Sequence, residues 1–341
     1  MGNPKKTKLV LTVDTECSAG GWPQKKSAEP LGYDRMMLCK MGAKEYGVRH
    51  IMNIAEQYSL VVDFFIEPLC SYKLGVAPLK DICQEIIDRG HNVSLHLHPR
   101  WKLALSPQLS RLSDSMYEYG VDGQEKLLRE GIDILSECGV PKIHAFRAGN
   151  LHGDVATYEA MRRVGIPISS NFCGAWDDDV TTRFGLPRAL NDVTLINGIL
   201  EIPVTSFHDF PRLRPKHLRP LQIAAASYPE HVQVIESAIA KQLSFVVILL
   251  HTFEWLQLKP DGTHKLVPHI EHRFRKLCEF VGNNREKIET CTFGAVDPVA
   301  LCANSAQTPS AAEIALSSTD VAGCMRGLRH AFGKLLKYMN K

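Results

Sequence analysis

Asp14 and Glu16 stand two residues apart at the end of an apolar run over 8–13, and His96 and His98 share that spacing at the end of another. Side chains of an extended strand alternate faces with period two, so the members of each pair point the same way. If the two strand ends lie side by side, carboxylate oxygens and imidazole nitrogens converge on one point. A divalent ion with an open coordination position needs such a set. It lowers the pKa of its water from about 15.7 to about 7 and polarises a carbonyl, which is what hydrolysis of an unreactive bond at neutral pH requires. The residues point to a metal-dependent hydrolase, with zinc as the expected ion. A lone D-x-E pair is commonly a cap or a surface pair, and strand histidines are commonly satisfied core residues; the two pairs together carry the reading. His91, five residues before His96, falls on the other strand face and reads as packing.

These side chains need elements that bring strand ends together. Strand patterns run over 9–13, 60–66, 93–98, 143–146, 166–169, 199–204 and 245–251. Helical periodicity runs over 48–58, 79–89, 124–138, 155–164, 231–241 and 270–281. The stretch 246–250 is apolar throughout, as in a strand covered on both faces. Alternation of strand and helix predicts parallel strands joined by helical crossovers, more economically closed as a barrel than left as an open sheet. Asp14, His96, Arg147 and His251 all fall where strands end, the face at which parallel barrels build their sites. The segment 17–46, with Gly20, Gly21, Pro23, Pro30 and Gly32, is long enough to be a functional loop or lid.

The barrel is expected over 1–300. From 301 a small, polar linker leads into a helix with Val321, Cys324, Met325, Leu328, Phe332, Leu335, Leu336 and Met339 on one face and Arg326, Arg329, Lys334 and Lys337 opposite. The apolar face is expected to fold back on the barrel; a partner helix and an anionic membrane surface are the other readings. With 341 residues, 45% of them hydrophobic, the chain can bury a sizeable core. A net charge of +3, spread along the chain, argues against a nucleic-acid partner. The apolar run before Asp14 is too short for a signal-peptide core or a membrane span. The ten cysteines include no C-x-x-C pair and read as buried free thiols. A cytoplasmic protein is expected.

Five segments in order carry a family resemblance. Residues 12–16 (Thr-Val-Asp-Thr-Glu) resemble the first motif of the polysaccharide deacetylases, the NodB-homology or carbohydrate esterase family 4 domain. Residues 62–66, with their Phe-Phe pair, are similar to its second strand. Residues 89–96 resemble the approach to the second motif, 146–149 (Phe-Arg-Ala-Gly) the third, and 248–251 (Ile-Leu-Leu-His) the last. The resemblance spans roughly 8–295 and implies a distorted (β/α)7-type barrel that removes N-acetyl groups from sugars with a bound metal. It implies Asp14 as general base, Glu16 and His96 as metal ligands, Arg147 as the residue holding the base, and His251 as general acid. Three positions depart from the pattern: Thr15 separates Asp14 from Glu16, no proline follows Arg147, and Arg100 stands where the second metal histidine is usual. His98 is the nearest substitute ligand. Trp22, Trp101, Asn150 and His208 are candidates for substrate binding. Trp176 and Trp255 also fall past strand ends, and one of the acids at 177–179 is a candidate to orient His251. The substrate implied is an N-acetylated sugar of an envelope polysaccharide or its precursor. A hydrolase of another amide bond and a sugar-binding protein without catalysis are the alternatives.

Overall fold

Strand periodicity sorts the side chains here into an inside and an outside. The parallel strands are β1 (Thr7–Thr15), β2 (Val62–Ile66), β3 (Asn92–Leu97), β4 (Ala145–Ala148), β5 (Ile168–Ser169), β6 (Ile199–Glu201), β7 (Phe245–His251) and β8 (Ile288–Thr290). They come from a computed structural model that describes residues 6–22, 28–106, 112–177, 179–210, 212, 217–259, 263–305 and 315–327. The sheet order is β7-β1-β2-β3-β4-β5-β6, ending in an antiparallel strand, Thr194–Ile196; β8 pairs with the start of β1, before β2 begins. The sheet curls, and irregular backbone stitches its far side to β7. Thr205 N–H donates to Val247 O (3.1 Å), Ile223 N–H to Leu249 O (3.0 Å) and Leu249 N–H to Leu221 O (3.1 Å). The result is the distorted α/β barrel expected.

Leu9, Leu11 and Val13 of β1, with Val93, Leu95 and Leu97 of β3 and Val246, Ile248 and Leu250 of β7, belong to the core beneath the outer helices. Val10 of β1, Ala145 of β4 and Val247 and Leu249 of β7 belong to a second, interior cluster. Continuing the interior parity along each strand reaches Asp14, His96, Arg147 and His251 at the C-terminal ends. Strand alternation therefore delivers these four polar groups to one end of the barrel.

Helices α1 (Val48–Gln57), α2 (Ala77–Asp88), α3 (Gly120–Glu137), α4 (Val155–Val164), α5 (Tyr228–Ala240) and α6 (Pro268–Asn283) bury apolar stripes against the sheet, such as Leu79, Ile82, Cys83 and Ile86 of α2. Capping boxes start two of them, Asp154 with Thr157 at α4 and Ser227 with Glu230 at α5. The apolar run 245–251 forms its strand with the expected bounds. The expected strands over 166–169 and 199–204 are cut short, because Pro167 and Pro203 offer no N–H to a ladder.

The long segment after β1 is built, not open: it carries a short helix, Tyr33–Met36, and a hairpin of Lys40–Met41 with Lys44–Glu45. The C-terminal region differs from expectation. Leu316 is buried and residues 320–327 form a helix, but Ala322 and Gly323 face the barrel while Val321 and Met325 are 68% and 46% exposed. Arg326 sets that rotation. Its Nη2 lies 2.6 Å from Asp209 Oδ2 and its Nε 3.1 Å from Glu230 Oε2, both carboxylates buried. Ion pairing to two buried acids outweighs burial of one valine and one methionine. Residues 306–314 and 328–341, including Leu328, Phe332, Leu335, Leu336 and Met339, lie outside the described residues. Among the described residues, no helix is long and apolar enough to cross a membrane.

Candidate metal centre

Strand register decides which side chains meet. Asp14 of β1 sits opposite His251 of β7, and His96 of β3 opposite Arg147 of β4. Glu16 lies one interior step beyond Asp14. His98, just past the end of β3, keeps an extended backbone (φ −114°, ψ 93°), so its ring stays on the side of His96, with centroids 5.1 Å apart. Donor atoms of Glu16, His96 and His98 all lie within 4.8 Å of one another. This is the convergence the paired spacing anticipated.

The hydrogen-bond pattern of the cluster suits a cation. His96 Nδ1 donates to Arg147 O (2.8 Å), so in the neutral ring Nε2 presents a lone pair toward Glu16 Oε2 at 3.5 Å. His98 Nδ1 donates to Asp114 Oδ2 (2.8 Å), and its Nε2 lies 2.5 Å from Glu16 Oε2. Lone pair facing lone pair is unfavourable unless a proton or a metal lies between. Burial pushes the His98 imidazole down, but the charges of Glu16 and Asp114 carry it well above its usual range. Burial raises Glu16, and the charge of His98 beside it brings it well below the carboxylate range. Tetrahedral bonds of about 2.1 Å put donors about 3.4 Å apart. The His96–Glu16 separation already matches, and His98 needs to draw back by roughly 1 Å to meet the same spacing. The residues fit a divalent ion, and each imidazole is oriented from behind, as metal-binding histidines are.

Asp14, Arg147 and His251 form a second group. Arg147 is wholly buried: Nη1 donates to Asp14 Oδ1 (2.6 Å) and Thr12 Oγ1 (3.1 Å), while Nε and Nη2 donate to Ser170 O (3.1 Å) and Oγ (3.0 Å). Its guanidinium also stacks 4.2 Å above the Phe65 ring. The other carboxylate oxygen of Asp14 is 3.9 Å from His251 Nε2. His251 Nδ1 donates to Glu254 Oε1 (3.0 Å), and Glu254 is itself held by Ala224 N–H (3.0 Å) and the Gln222 amide. Burial lowers the His251 imidazole, yet the hydrogen bond and charge of Glu254, followed by Asp14 and Glu16, lift it to about 9.

No family model and no curated protein matches this sequence. Solved structures match it. A protein of Mycobacterium smegmatis described as a polysaccharide deacetylase superposes with a TM-score of 0.53 at 14% identity, over 92% of this chain and 95% of that one. The 4-alpha-glucanotransferase of Thermococcus litoralis superposes with 0.51 at 14% identity, over 85% of this chain and 40% of that longer one. A family 4 carbohydrate esterase of Streptomyces lividans, solved with acetate, gives 0.38 at 13% identity over 86% and 94%, too loose to carry an argument. This chain has the polysaccharide deacetylase fold. A glucanotransferase shares that scaffold, so the chemistry has to be argued from the site.

On this deacetylase fold a cleft of about 270 Å³ opens beside the cluster, with Cys17, Ser18, Met36, Trp101, Asn150 and Phe253 in its walls. Asn150 lies here as expected, in a left-handed conformation (φ 55°). The segment after β1 supplies one wall, in keeping with a functional loop. Trp101 is 1% exposed and stacks on Trp22 at 6.1 Å, so the two rings cover each other rather than offering a free platform. Neither Trp22 nor His208 lines the cleft. His208 is tied by its backbone to Leu316 and Ser318, away from the walls of this cleft. Trp255 is buried and donates to Tyr46 O, and Trp176 packs on the interior cluster. Asp177 pairs with Arg183 (2.8 Å) and does not orient His251; Glu254 does. Asp178 lies outside the described residues. His91 packs as expected, accepting from Val62 N–H (3.1 Å).

Asp114, Glu254 and Gly149 were not foreseen. Glu254, three residues after His251, was within reach of a local search. Asp114 sits in a polar loop with no periodic signal. Gly149 matters by absence: a Cβ there would lie 2.5 Å from His98 Cε1, so only glycine leaves room for that ring.

Proposed function

We propose that this chain is a metal-dependent hydrolase that removes the N-acetyl group from a sugar of a cell-surface polysaccharide or its precursor. The observation that carries the reading is the convergence of Glu16, His96 and His98 on one point, next to an Asp14–His251 pair at the same barrel end. Zinc is the ion proposed, since one carboxylate with two imidazoles is a common catalytic set for it. Bound there, the ion supplies a nucleophile at neutral pH and polarises the amide carbonyl. Asp14, held by Arg147, accepts a proton from the attacking water. His251, protonated, gives one to the departing nitrogen as the C–N bond breaks, leaving acetate and a free amino sugar. Arg147 has no exposed surface and acts by fixing Asp14 rather than by touching substrate. A cytoplasmic site of action is part of the proposal; eight buried, free thiols among the described residues support it.

Zinc content and acetate release, measured on the same preparation with a panel of N-acetyl sugars, test this reading. The expected result is one tightly held ion per chain and acetate from at least one sugar. A second reading, a sugar-binding protein without catalysis, is favoured by Arg100 at the position where a second histidine is usual. It predicts neither ion nor acetate under zinc-replete conditions. A tightly held ion without acetate would move the chemistry to another amide bond.

A further inference from the structure

Arg100 lines the cleft beside the candidate ligands and its side chain is 44% exposed. Its backbone is fixed, because Pro99 opens a 3-10 turn there and Arg100 N–H donates to Asp114 Oδ1 (3.2 Å). Its guanidinium has a weak partner: Nε stands 3.5 Å from Asp114 Oδ2, the same oxygen that holds His98 Nδ1 at 2.8 Å. Among the described residues no other carboxylate pairs with it. One acid is thus shared between two bases, and the closer contact belongs to the histidine.

Charge around the cleft follows from these pairings. A divalent ion would offset Glu16 and Asp114, while Arg147 offsets Asp14 and Glu254 offsets His251. Arg100 then remains as uncompensated positive charge at the cleft wall, with two terminal nitrogens suited to a forked contact with carboxylate or phosphate. We propose that Arg100 makes this site selective for an anionic N-acetyl sugar, one carrying a carboxylate or phosphate on the same sugar as the acetamido group. The position that departs from the deacetylase pattern is then a substrate contact rather than a lost ligand. This rests on the hydrolase reading above.

Acetate release from N-acetylglucosamine, its 1-phosphate and the uronic acid with a carboxylate at C6 tests the inference on the zinc-loaded wild type. One or both anions should exceed the neutral sugar in kcat/KM by about 10- to 100-fold, the contribution of a charge-assisted hydrogen-bonded pair. Which of the two exceeds it identifies the acidic group. Arg100→Gln should collapse that ratio, and Arg100→Lys should keep part of it, because the charge stays while the fork is lost. Equal kcat/KM for all three wild-type substrates, or a ratio untouched by Arg100→Gln, overturns the inference and leaves the hydrolase reading standing. No acetate from any of these three, when another sugar of the wider panel yields it, also overturns the inference; no acetate from the whole panel, with zinc bound, removes the inference together with the deacetylase reading.

Discussion

The two halves of the site differ in what they lack. Around Arg147 every guanidinium nitrogen has a partner within the protein, Asp14, Thr12 or Ser170, and Phe65 covers its face. Around Glu16 two imidazoles are aimed at one carboxylate, and each ring spends its Nδ1 on another partner, so the two Nε2 atoms and Glu16 Oε2 converge on one point. Both halves are buried strand ends. A self-satisfied buried network holds a geometry, whereas one with converging acceptors calls for an outside cation. The first half is suited to proton transfer and the second to metal binding.

The difference can be broken from the ligand side first. Glu16→Ala and His96→Ala should each leave no zinc after dialysis, measured by metal analysis, while Asp14→Asn should keep its full complement. That same Asp14→Asn protein should lose about 10²- to 10⁴-fold in kcat, the range for a general base; retained activity would show that Asp14 is not the base. Asp114→Asn should weaken zinc affinity by about 10- to 100-fold, as loss of a partner behind a metal-binding histidine does. Competition with a chromophoric chelator reads that change, and unchanged affinity would mean that His98 is not a ligand.

The smallest effect is on pH dependence. As the acid, His251 must be protonated, so kcat should be present below about 9 and fall as pH rises through that value. Its shift is upward, from an ordinary value of 6.5. The same contacts therefore stabilise the fold fully below about 6.5 and are lost as pH rises through about 9. Glu254→Gln removes the largest raising influence and should move the falling limb of the kcat profile to lower pH. A limb that stays in place would separate His251 from the acid step.

Much of the site was legible before the fold was known. Asp14, His96, Arg147 and His251 sit on interior parity at the ends of strands whose apolar patterns are plain, and α4 and β7 have their expected bounds. The misplaced residues share a cause. Trp22 and His208 were read from their position just past strand ends, but a loop side chain there can turn toward the cleft, as Trp101 does, or pack on a neighbour. Trp22 packs on Trp101, and antiparallel pairing of Ser206–His208 with Leu218–Pro220, with backbone bonds to Leu316 and Ser318, drew His208 toward the C-terminal region. For the helix at 320–327, an ion pair to Asp209, 117 residues away in sequence, set the buried face against the apolar pattern.

Alternation with period two needs only a few consecutive residues, so the chain's own order decided which polar groups would reach the interior end of each strand. It could not decide which strand lies beside which, since register depends on the packing of the whole sheet. Arg147 meets Asp14 across 133 residues and Asp114 meets His98 across 16, neither as part of a repeating pattern. The room Gly149 leaves for an imidazole is likewise a property of two backbones brought together. Local steric rules wrote the donor types into the sequence; long-range packing settled their partners, their tautomers and the place where an ion fits.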